Sequence, residues 1–579
     1  MSPQELAQKE YKRWCAYSAI DAESAEELAA MKDDADKVLM RFGSSMSFGT
    51  AGLRSTMCVG TACMNVYTVA QATQGLAVLI AQENGNARGV AIAYDSRNNS
   101  KLFAEVSAEV LAGNGIRVYL FDGVRPTPEL SFAVRACGCI AGINITASHN
   151  PKEYNGYKAY WEDGAQLSPE NSRVVADAIA KVDVLGGASR MPIDEALACG
   201  LVTMLDKAFD ETYLDAVMAT AIAPEAVQEV AEELKIVYTP LHGAGYRLVP
   251  EILRRMGMKH LYTVPEQMLL DGNFPTVKKP NPEYANVFAL GIALAERVGS
   301  DLIIATDPDA DRVGVMSRTA KGDFATITGN QMGALLLDYV IRARRARGKL
   351  PDGSYAVKSI VSTALAEKIA EKQGVKLYDV FTGFKFIGEV IKNYEKSGNA
   401  GDFLLGFEES YGYLFGTYAR DKDAIEATMM IVEMTAYYRT RGMTLSDALE
   451  NLYKEYGLYK EGVLDLYMEG VDGPERLRRT MESLRAHPLS DFAGERVRLV
   501  TDHAVQTTLD LQTGEKSLTG MESSNVLYYT LENGDKIVVR PSGTEPKIKF
   551  YFLCSGEGVD SVDAKIQKYQ KAAEALTAR

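Results

Sequence analysis

Three aspartates occupy alternate positions in the segment DPDADR: Asp307, Asp309 and Asp311. They follow the apolar stretch LIIAT, which is typical of a buried strand. In a turn, this spacing lets three carboxylates converge on one hard cation such as Mg²⁺, which prefers oxygen ligands. The alternatives are a solvated acidic turn and an EF-hand loop, and the latter lacks its glycine and its final glutamate here.

A serine follows another apolar stretch, in TASHNP at residues 146–151. No G-x-S-x-G nucleophile elbow surrounds Ser148, and the five histidines of the chain leave little material for a hydrolase triad. We expect the ring of His149 to point away from the serine hydroxyl. The simplest interpretation is a turn in which Ser148 and Asn150 satisfy backbone groups. The alternative is a serine that carries a phosphoryl group and passes it to a substrate hydroxyl beside a metal.

A candidate phosphate-binding turn is RPSGTEPKIK, at residues 540–549. It places Arg540, Ser542, Gly543 and Thr544 around a tight turn, followed by two lysines. Backbone N–H groups, hydroxyls and a guanidinium together suit a phosphate. A hairpin loop with solvated charges is the alternative.

Further loops carry polar side chains of less specific meaning. GFEESYG offers Glu408 and Ser410 for sugar hydroxyls, whereas TGFKF adds Lys385 and ARDKD adds Arg420 and Lys422. Taken singly, each of these segments is more typical of a solvated face than of a site.

An earlier loop, FGTAGLR, contains Gly49 and Gly52, which permit close approach of the backbone, and Arg54, which could reach an anion.

These loops follow short apolar stretches that alternate with helix-like segments, as in an α/β protein with buried, largely parallel strands. In such sheets, ligands bind beyond the carboxyl ends of the strands. The stretches with their loops lie at residues 89–97, 115–123, 139–151, 234–245, 301–312 and 401–410.

The two ends of the chain differ from this pattern. Residues 4–41 are rich in Ala, Glu, Lys and Leu and predict a helical extension. The last hundred residues predict strands, a hairpin at ENGD and a final helix, and therefore a separate α+β domain. The predicted segments are a helical extension (1–44), three α/β domains (45–220, 221–328 and 329–455) and a C-terminal α+β domain (456–579).

Composition excludes several classes of function. The chain has 579 residues, a net charge of −14 and a pI near 5.2, so it offers no basic surface for nucleic acid or for an anionic membrane. No apolar stretch approaches the roughly 20 residues that span a bilayer, and the N-terminus lacks the apolar core of a signal peptide. We expect a cytoplasmic protein whose seven cysteines are reduced thiols.

Taken together, the motifs resemble the α-D-phosphohexomutase superfamily, in particular its phosphoglucomutase/phosphopentomutase branch. The resemblance covers residues 45–555, and the motifs stand in the order of that family. They are FGTAGLR, TASHNPKEYNGYK, DPDADR, TGFKF, GFEESYG and RPSGTEPK.

The resemblance implies a fold of three similar α/β domains with mixed sheets and a smaller C-terminal α+β domain around a central cleft. It also implies that Ser148 is phosphorylated and joins the three aspartates on one Mg²⁺ ion. Arg54 and Lys158 would assist proton transfer or steady the moving phosphoryl group, with His149 close by. The implied substrate-binding residues are Arg312, Thr382, Gly383, Lys385, Glu408, Ser410, Lys422, Arg540, Ser542, Gly543 and Thr544.

The implied activity is a phosphoglucomutase that interconverts α-D-glucose 1-phosphate and glucose 6-phosphate through a phosphoserine enzyme and glucose 1,6-bisphosphate. The implied partners are small sugar phosphates, with neither nucleic acid nor membrane, and the enzyme would be a monomer or weak homo-oligomer. Phosphomannomutase or phosphopentomutase activity, and a non-catalytic sugar-phosphate-binding protein, are the alternatives. A Mg²⁺-dependent phosphatase is a further alternative. It is disfavoured because it would leave the serine motif and the phosphate-binding turn without a role.

Overall fold

The structure is a computed structural model, and it describes residues 2–49, 52–319, 321–398, 403–468, 473–542 and 547–577. The chain divides into two compact units. The first unit comprises Met1–Thr328, Ile387–Phe403 and Tyr411–Thr444. The second comprises Gly329–Phe386, Leu404–Ser410 and Leu445–Arg579.

The N-terminal segment of the first unit is helical, as its composition predicts. Its helices are α1 (Pro3–Cys15), α2 (Ala22–Ala30) and α3 (Ala35–Phe42). Each begins at a side chain that accepts a backbone N–H: Ser2, Asp21 and Asp34. Trp14 is fully buried and packs edge-on against Phe42, so the three helices share a small core of their own.

A mixed sheet follows, and helices pack against it. Its strands are β1 (Leu53–Thr56), β2 (Val90–Tyr94), β3 (Val118–Phe121), β4 (Ala141–Ile145), β5 (Tyr154–Trp161) and β6 (Val202–Leu205). The helices are α4 (Val66–Gln82), α5 (Ser100–Gly113), α6 (Thr127–Ala136), α7 (Pro169–Ile179) and α8 (Ile193–Ala198). The strand order is β1-β5-β4-β2-β3-β6. Strands β4, β2, β3 and β6 run parallel to one another, β5 pairs antiparallel with β4, and β1 pairs antiparallel with β5. Strands β2 and β4 are buried along their whole length because α5 and α6 pack on them.

A second mixed sheet completes the strand-and-helix pattern of residues 1–328. Its strands are β7 (Lys235–Thr239), β8 (His260–Thr263), β9 (Leu302–Thr306), β10 (Val313–Arg318) and β11 (Phe324–Ile327). The helices are α9 (Lys207–Met218), α10 (Pro224–Glu229), α11 (Gly245–Arg255), α12 (Pro265–Met268) and α13 (Ala289–Val298), with a 3₁₀ turn at Ala285–Phe288. The strand order is β11-β10-β9-β7-β8, and the DPDADR segment connects β9 to its antiparallel neighbour β10.

Residues 329–456 are divided between the two units. Their elements are α14 (Gly329–Ala346), β12 (Tyr355–Ser359), α15 (Leu365–Gln373), β13 (Lys376–Val380), α16 (Phe384–Ser397), β14 (Phe403–Glu408), β15 (Gly412–Leu414), α17 (Ala424–Arg439) and α18 (Leu445–Tyr456). Strands β13, β12 and β14 lie side by side in that order, with β12 and β13 parallel. Strand β15 and helix α17 belong to the first unit.

The C-terminal part of the second unit is an antiparallel sheet with two helices. Its elements are β16 (Leu458–Tyr467), α19 (Gly473–Ala486), β17 (Asp491–Phe492), β18 (Glu495–Asp502), β19 (Thr507–Asp510), β20 (Lys516–Leu518), β21 (Leu527–Leu531), β22 (Lys536–Pro541), β23 (Lys547–Gly556) and α20 (Val559–Thr577). The strand order is β16-β23-β22-β21-β18-β19-β20, and β17 pairs with β18. The hairpin predicted at ENGD is confirmed, because β21 and β22 pair on either side of it.

The prediction of an α/β fold is confirmed, while the predicted domain boundaries stay predictions.

The expectation that all cysteines are free thiols is wrong for two of them. Cys58 and Cys63 form a disulfide across the loop that follows β1, where a turn brings their Cα atoms to 5.4 Å. Among the described residues, no helix is both long and apolar enough to cross a membrane.

Candidate active site

The three aspartates of DPDADR converge in a buried turn at the end of β9. One carboxylate oxygen from each lies within 4.8 Å of the others, and all three side chains are buried. Asp307 organises the turn, because its Oδ1 accepts the backbone N–H groups of Asp311 (3.1 Å) and Arg312 (3.0 Å). Ala310 takes the left-handed conformation that reverses the chain between them (φ 49°).

Negative charge dominates this turn. Burial, and then the charges of Asp309 and Asp311, raise the pKa of Asp307 well above its usual range. Two lysines offset part of the charge: Lys158 lies 2.8 Å from Asp309 Oδ2, and Lys422 lies 3.1 Å from Asp311 Oδ2. Two ammonium groups thus face three crowded carboxyl groups, an arrangement that a divalent cation would stabilise.

The two oxygens of Asp309 have different surroundings. Oδ2 accepts hydrogen bonds from Lys158 Nζ and from Thr127 Oγ1 (2.9 Å). Oδ1 is buried and has no hydrogen-bond partner among the described residues. A buried acceptor without a partner is costly, and a metal ligand is a common reason for one.

The TASHNP loop brings Ser148 directly to this turn. Ser148 is 4% exposed and left-handed (φ 52°), a conformation supported by the hydrogen bond from its backbone N–H to Thr146 Oγ1 (2.8 Å). Its Oγ donates to Asp307 Oδ2 over 2.9 Å, although 159 residues separate the two in the chain. The expectation for His149 is wrong, because its Nδ1 lies 3.1 Å from Ser148 Oγ. The left-handed backbone at Ser148 is what turns both side chains the same way.

His149 and Arg54 add to the surroundings of the serine. Burial, and then the positive charges of Arg312 and Arg54, lower the pKa of His149 well below its usual range, so the imidazole is neutral. Arg54 is exposed and donates to Asn150 Oδ1 in the serine loop (3.2 Å). The close approach predicted for FGTAGLR occurs at Gly52, where a Cβ would lie 1.9 Å from Tyr157 O, and not at Gly49.

Residues of the predicted sugar-binding loops lie in the second unit. Glu408, at the end of β14, is buried, and its Oε1 accepts the backbone N–H of Gly383 (2.6 Å). This bond joins the GFEESYG and TGFKF segments, so Thr382 and Ser410 flank the two bonded residues. Lys385 lies in the first turn of α16, with its Nζ 5.0 Å from the ring of the neighbouring Phe386.

The predicted phosphate-binding turn connects β22 to β23. Arg540 lies in β22 opposite Lys549, and the N–H of Ser542 donates to Lys547 O (2.8 Å). Gly543 and Thr544 lie outside the described residues. Lys422, which the resemblance groups with this turn, instead contacts Asp311 and Asp421 within the first unit.

Comparison with protein families decides the chain's relationship. Residues 45–185, 211–322 and 328–456 match the α/β/α domains I, II and III of phosphoglucomutase/phosphomannomutase, in that order. The chain belongs to the phosphoglucomutase/phosphomannomutase family. Its relatives include a phosphoglucomutase of Staphylococcus saprophyticus, 37% identical over 91% of this chain and 93% of the relative. One from Staphylococcus aureus is 35% identical over 91% and 92%.

Solved structures of the family share the fold. The open form of parafusin, a phosphoglucomutase from Paramecium, aligns with a TM-score of 0.68 at 17% identity, over 93% of this chain and 97% of that one. A phosphoglucomutase/phosphomannomutase family protein from Burkholderia thailandensis aligns with a TM-score of 0.64 at 17% identity, over 92% and 97%.

Two residues that the motif search missed hold the serine loop of this family member. Arg97 is buried and donates to the backbone oxygens of Ser148, Asn150 and Pro151. Asp95 pairs with Arg97 and accepts from Thr146 Oγ1 (2.6 Å). Both residues lie in the segment GVAIAYDSR, directly after its apolar stretch. That position at the end of a strand is the feature of the sequence that could have identified them.

Proposed function

We propose that this protein is a phosphoglucomutase that interconverts α-D-glucose 1-phosphate and glucose 6-phosphate through a phosphoserine at Ser148. The observation that carries the proposal is the 2.9 Å hydrogen bond from Ser148 Oγ to Asp307. It puts a hydroxyl that could carry phosphate at a cluster of carboxylates that could hold a metal. The staphylococcal relatives named phosphoglucomutase support glucose as the sugar.

One Mg²⁺ ion per chain fits the aspartate turn. Its ligands would be Asp307, Asp309, Asp311 and an oxygen of phosphorylated Ser148. The buried Oδ1 of Asp309, which has no partner among the described residues, supports this assignment. When bound, the ion would supply positive charge that stabilises the phosphoryl group during transfer.

The proposed reaction transfers the phosphoryl group from Ser148 to a free hydroxyl of the sugar monophosphate. The bond between phosphorus and Ser148 Oγ breaks and a bond from phosphorus to the sugar oxygen forms. The proton of the sugar hydroxyl is taken up by a neighbouring basic group, and Ser148 Oγ gains a proton as it leaves, so the serine hydroxyl is restored. The product, glucose 1,6-bisphosphate, reverses its orientation in the site and returns its other phosphoryl group to Ser148. His149 contacts Ser148, Arg54 contacts the serine loop at Asn150 and Lys158 contacts Asp309, and these three residues would stabilise the charge or move the proton.

Recognition of the sugar phosphate is assigned to the remaining motif residues. Glu408 and Ser410 would bind sugar hydroxyls, and Arg540 would bind the phosphate that is not transferred. The other proposed substrate-binding residues are Arg312, Thr382, Gly383, Lys385, Lys422, Ser542, Gly543 and Thr544. We also infer a cytoplasmic enzyme that is a monomer or weak homo-oligomer. The net charge of −14 argues against nucleic acid and anionic membranes as partners.

Intact mass spectrometry tests the phosphoserine directly. Incubation with glucose 1,6-bisphosphate and Mg²⁺ should add one phosphate that maps to Ser148. Ser148→Ala should gain no phosphate and should lose turnover, while its fold and its affinity for sugar phosphate persist. Full activity of Ser148→Ala would refute the proposal. Rates on glucose, mannose and ribose 1-phosphates would then test the choice of sugar.

A further inference from the structure

Asp309 has a hydrogen-bonding neighbour that no family motif accounts for. Thr127, the first residue of α6, is fully buried, and its Oγ1 lies 2.9 Å from Asp309 Oδ2, 182 residues further along the chain. The backbone N–H of Thr127 also donates to the backbone oxygen of Asp309 (2.8 Å). Two bonds therefore fix the start of α6 against the centre of the aspartate turn.

Asn144 determines the direction of the side-chain bond. It is fully buried in β4, and its Nδ2 donates to Thr127 Oγ1 over 2.7 Å. A threonine hydroxyl has one proton, so an oxygen that accepts from Asn144 is free to donate to Asp309. The chain of donors thus runs from Asn144 through Thr127 to the Oδ2 atom of Asp309.

The sheet places this chain of donors beside the lysine that binds the same oxygen. Asn144 on β4 and Lys158 on β5 are directly paired in the antiparallel register, so their side chains leave the same face of the sheet. Lys158 reaches Asp309 Oδ2 directly, and Asn144 reaches it through Thr127. With Oδ2 held from two sides, the carboxylate cannot rotate freely, and the partnerless Oδ1 faces a fixed direction.

A helix-capping role does not explain the Thr127 hydroxyl. The residue that caps α6 is Pro126, and no side chain forms a capping hydrogen bond there. The hydroxyl instead bridges the buried side chains of Asn144 and Asp309. The other oxygen of Asp309, Oδ1, has no hydrogen-bond partner among the described residues and is the atom left for a metal.

We propose that Thr127 and Asn144 are positioning residues for the metal: they lock the Asp309 carboxylate so that its Oδ1 is presented to the cation. The inference rests on the proposed metal site and adds two residues to it. Outer partners that orient a metal ligand commonly change metal affinity by about 10- to 100-fold when they are removed. Asn144 also lies on the strand that leads to Ser148, so one strand would orient both the metal ligand and the phosphate carrier.

The test is isothermal titration of Mg²⁺ into the full-length, dephosphorylated protein. Thr127→Val keeps the size of the side chain and removes the hydroxyl, and Thr127→Ser is the matched control that keeps it. We expect Thr127→Val to bind Mg²⁺ at least about tenfold more weakly than wild type, and Thr127→Ser to bind within about twofold of it. Thermal unfolding in EDTA checks that both variants are folded.

Different results identify which idea is wrong. Absence of Mg²⁺ binding by the wild-type protein in both its dephosphorylated and its phosphorylated form would refute the metal site itself. Equal affinity of wild type and Thr127→Val would refute only the positioning role, and so would a loss as large in Thr127→Ser as in Thr127→Val.

A second variant keeps the inference testable if Thr127→Val does not fold. Asn144→Leu removes the donor to Thr127 at similar volume, and we expect it to weaken Mg²⁺ binding by a smaller factor. If both residues act through one hydrogen-bond chain, the double variant should bind no more weakly than Thr127→Val alone. Losses that multiply in the double variant would contradict a single chain.

Discussion

Two clusters of buried carboxyl groups in the first unit look alike in composition but differ in how their charge is balanced. One is the aspartate turn of Asp307, Asp309 and Asp311. The other pairs Glu129, in α6, with Asp210, in α9. All five side chains are at most 2% exposed.

Arginines balance the charge of the second cluster, although both oxygens of Glu129, like Oδ1 of Asp309, have no hydrogen-bond partner among the described residues. Arg125 donates to Asp210 Oδ1 (2.6 Å), Arg247 donates to Asp210 Oδ2, and Arg125 lies 3.8 Å from Glu129. Burial, and then the charge of Asp210, raise the pKa of Glu129 well above its usual range. Burial therefore favours the neutral form of Glu129, and the two guanidinium groups face Asp210 together with Asp122, whose Oδ1 lies 2.9 Å from Arg125 Nη2.

The aspartate turn has the opposite balance. Its nearest cations are two lysines, each a compact charge that reaches an oxygen without enclosing the carboxylate as a guanidinium fork does, and Arg312 lies further away, with its Nε 3.8 Å from Asp311 Oδ1. Oδ1 of Asp309 is left without a partner among the described residues. The two clusters therefore differ in how their central carboxylate is held: two guanidinium groups enclose Asp210, whereas Asp309 is paired with one lysine and keeps an oxygen available to a metal.

The largest expected difference between the clusters is in activity. Asp309→Asn should reduce turnover by about 10³-fold or more, because it removes a metal ligand and metal charge contributes several kcal/mol to phosphoryl transfer. Asp210→Asn should keep most of the activity at a permissive temperature. It should instead lower the free energy of unfolding by about 3 kcal/mol, because the buried Arg125 and the half-buried Arg247 lose the anion that they share. Steady-state rates and urea denaturation measure the two effects, and comparable loss of turnover in both variants would break the distinction.

A smaller difference is expected in thermal stability with and without metal. A ligand at about 100 times its Kd stabilises the folded state by about 2.7 kcal/mol, which for a chain of this size is a shift of a few degrees. Mg²⁺ should therefore raise the unfolding midpoint of wild type and of Asp210→Asn, and EDTA should reverse the rise. Asp309→Asn should show no such shift. An unchanged Mg²⁺ response in Asp309→Asn would assign the ion to another site.

The sequence predicts one of these clusters and not the other, for a physical reason. The aspartates are local: an apolar strand followed by carboxylates at alternate positions folds into a turn that brings them together whatever the rest of the chain does. Glu129 and Asp210 are 81 positions apart, and each alone resembles an ordinary charge on a helix. Their burial depends on how α6 and α9 pack, which no local pattern encodes.

The same limit applies to the residues around the serine. TASHNP identifies Ser148, but the left-handed backbone that turns His149 towards it is set by contacts of Thr146 and Arg97. ARDKD was interpreted as a solvated face, yet Arg420 and Lys422 are buried. Long side chains satisfied by distant carboxylates are the part of the site that only tertiary structure reveals.

The smallest predicted effect concerns Glu129. Because its pKa is raised in the folded protein, the folded state retains a proton that the unfolded state releases above the ordinary glutamate pKa. This group therefore favours folding at low pH, and its contribution is lost as the pH rises towards the folded-state pKa. Glu129→Gln keeps a neutral side chain that can donate to Asp210 and removes the titration.

We expect Glu129→Gln to be more stable than wild type by about 1 kcal/mol at pH 8 and nearly equal to it at pH 4.5. Urea denaturation at both pH values measures the difference, with the exposed Glu195→Gln as the control for a change of charge alone. Because Glu129 lies in the same helix as Thr127, Mg²⁺ affinity should be measured as well, and it should not change. A Glu129→Gln variant that is less stable than wild type at pH 8 would mean that Glu129 is ionised. The Arg125 cluster would then hold the charges of Asp122, Asp210 and Glu129, and its charge balance would no longer distinguish it from the aspartate turn.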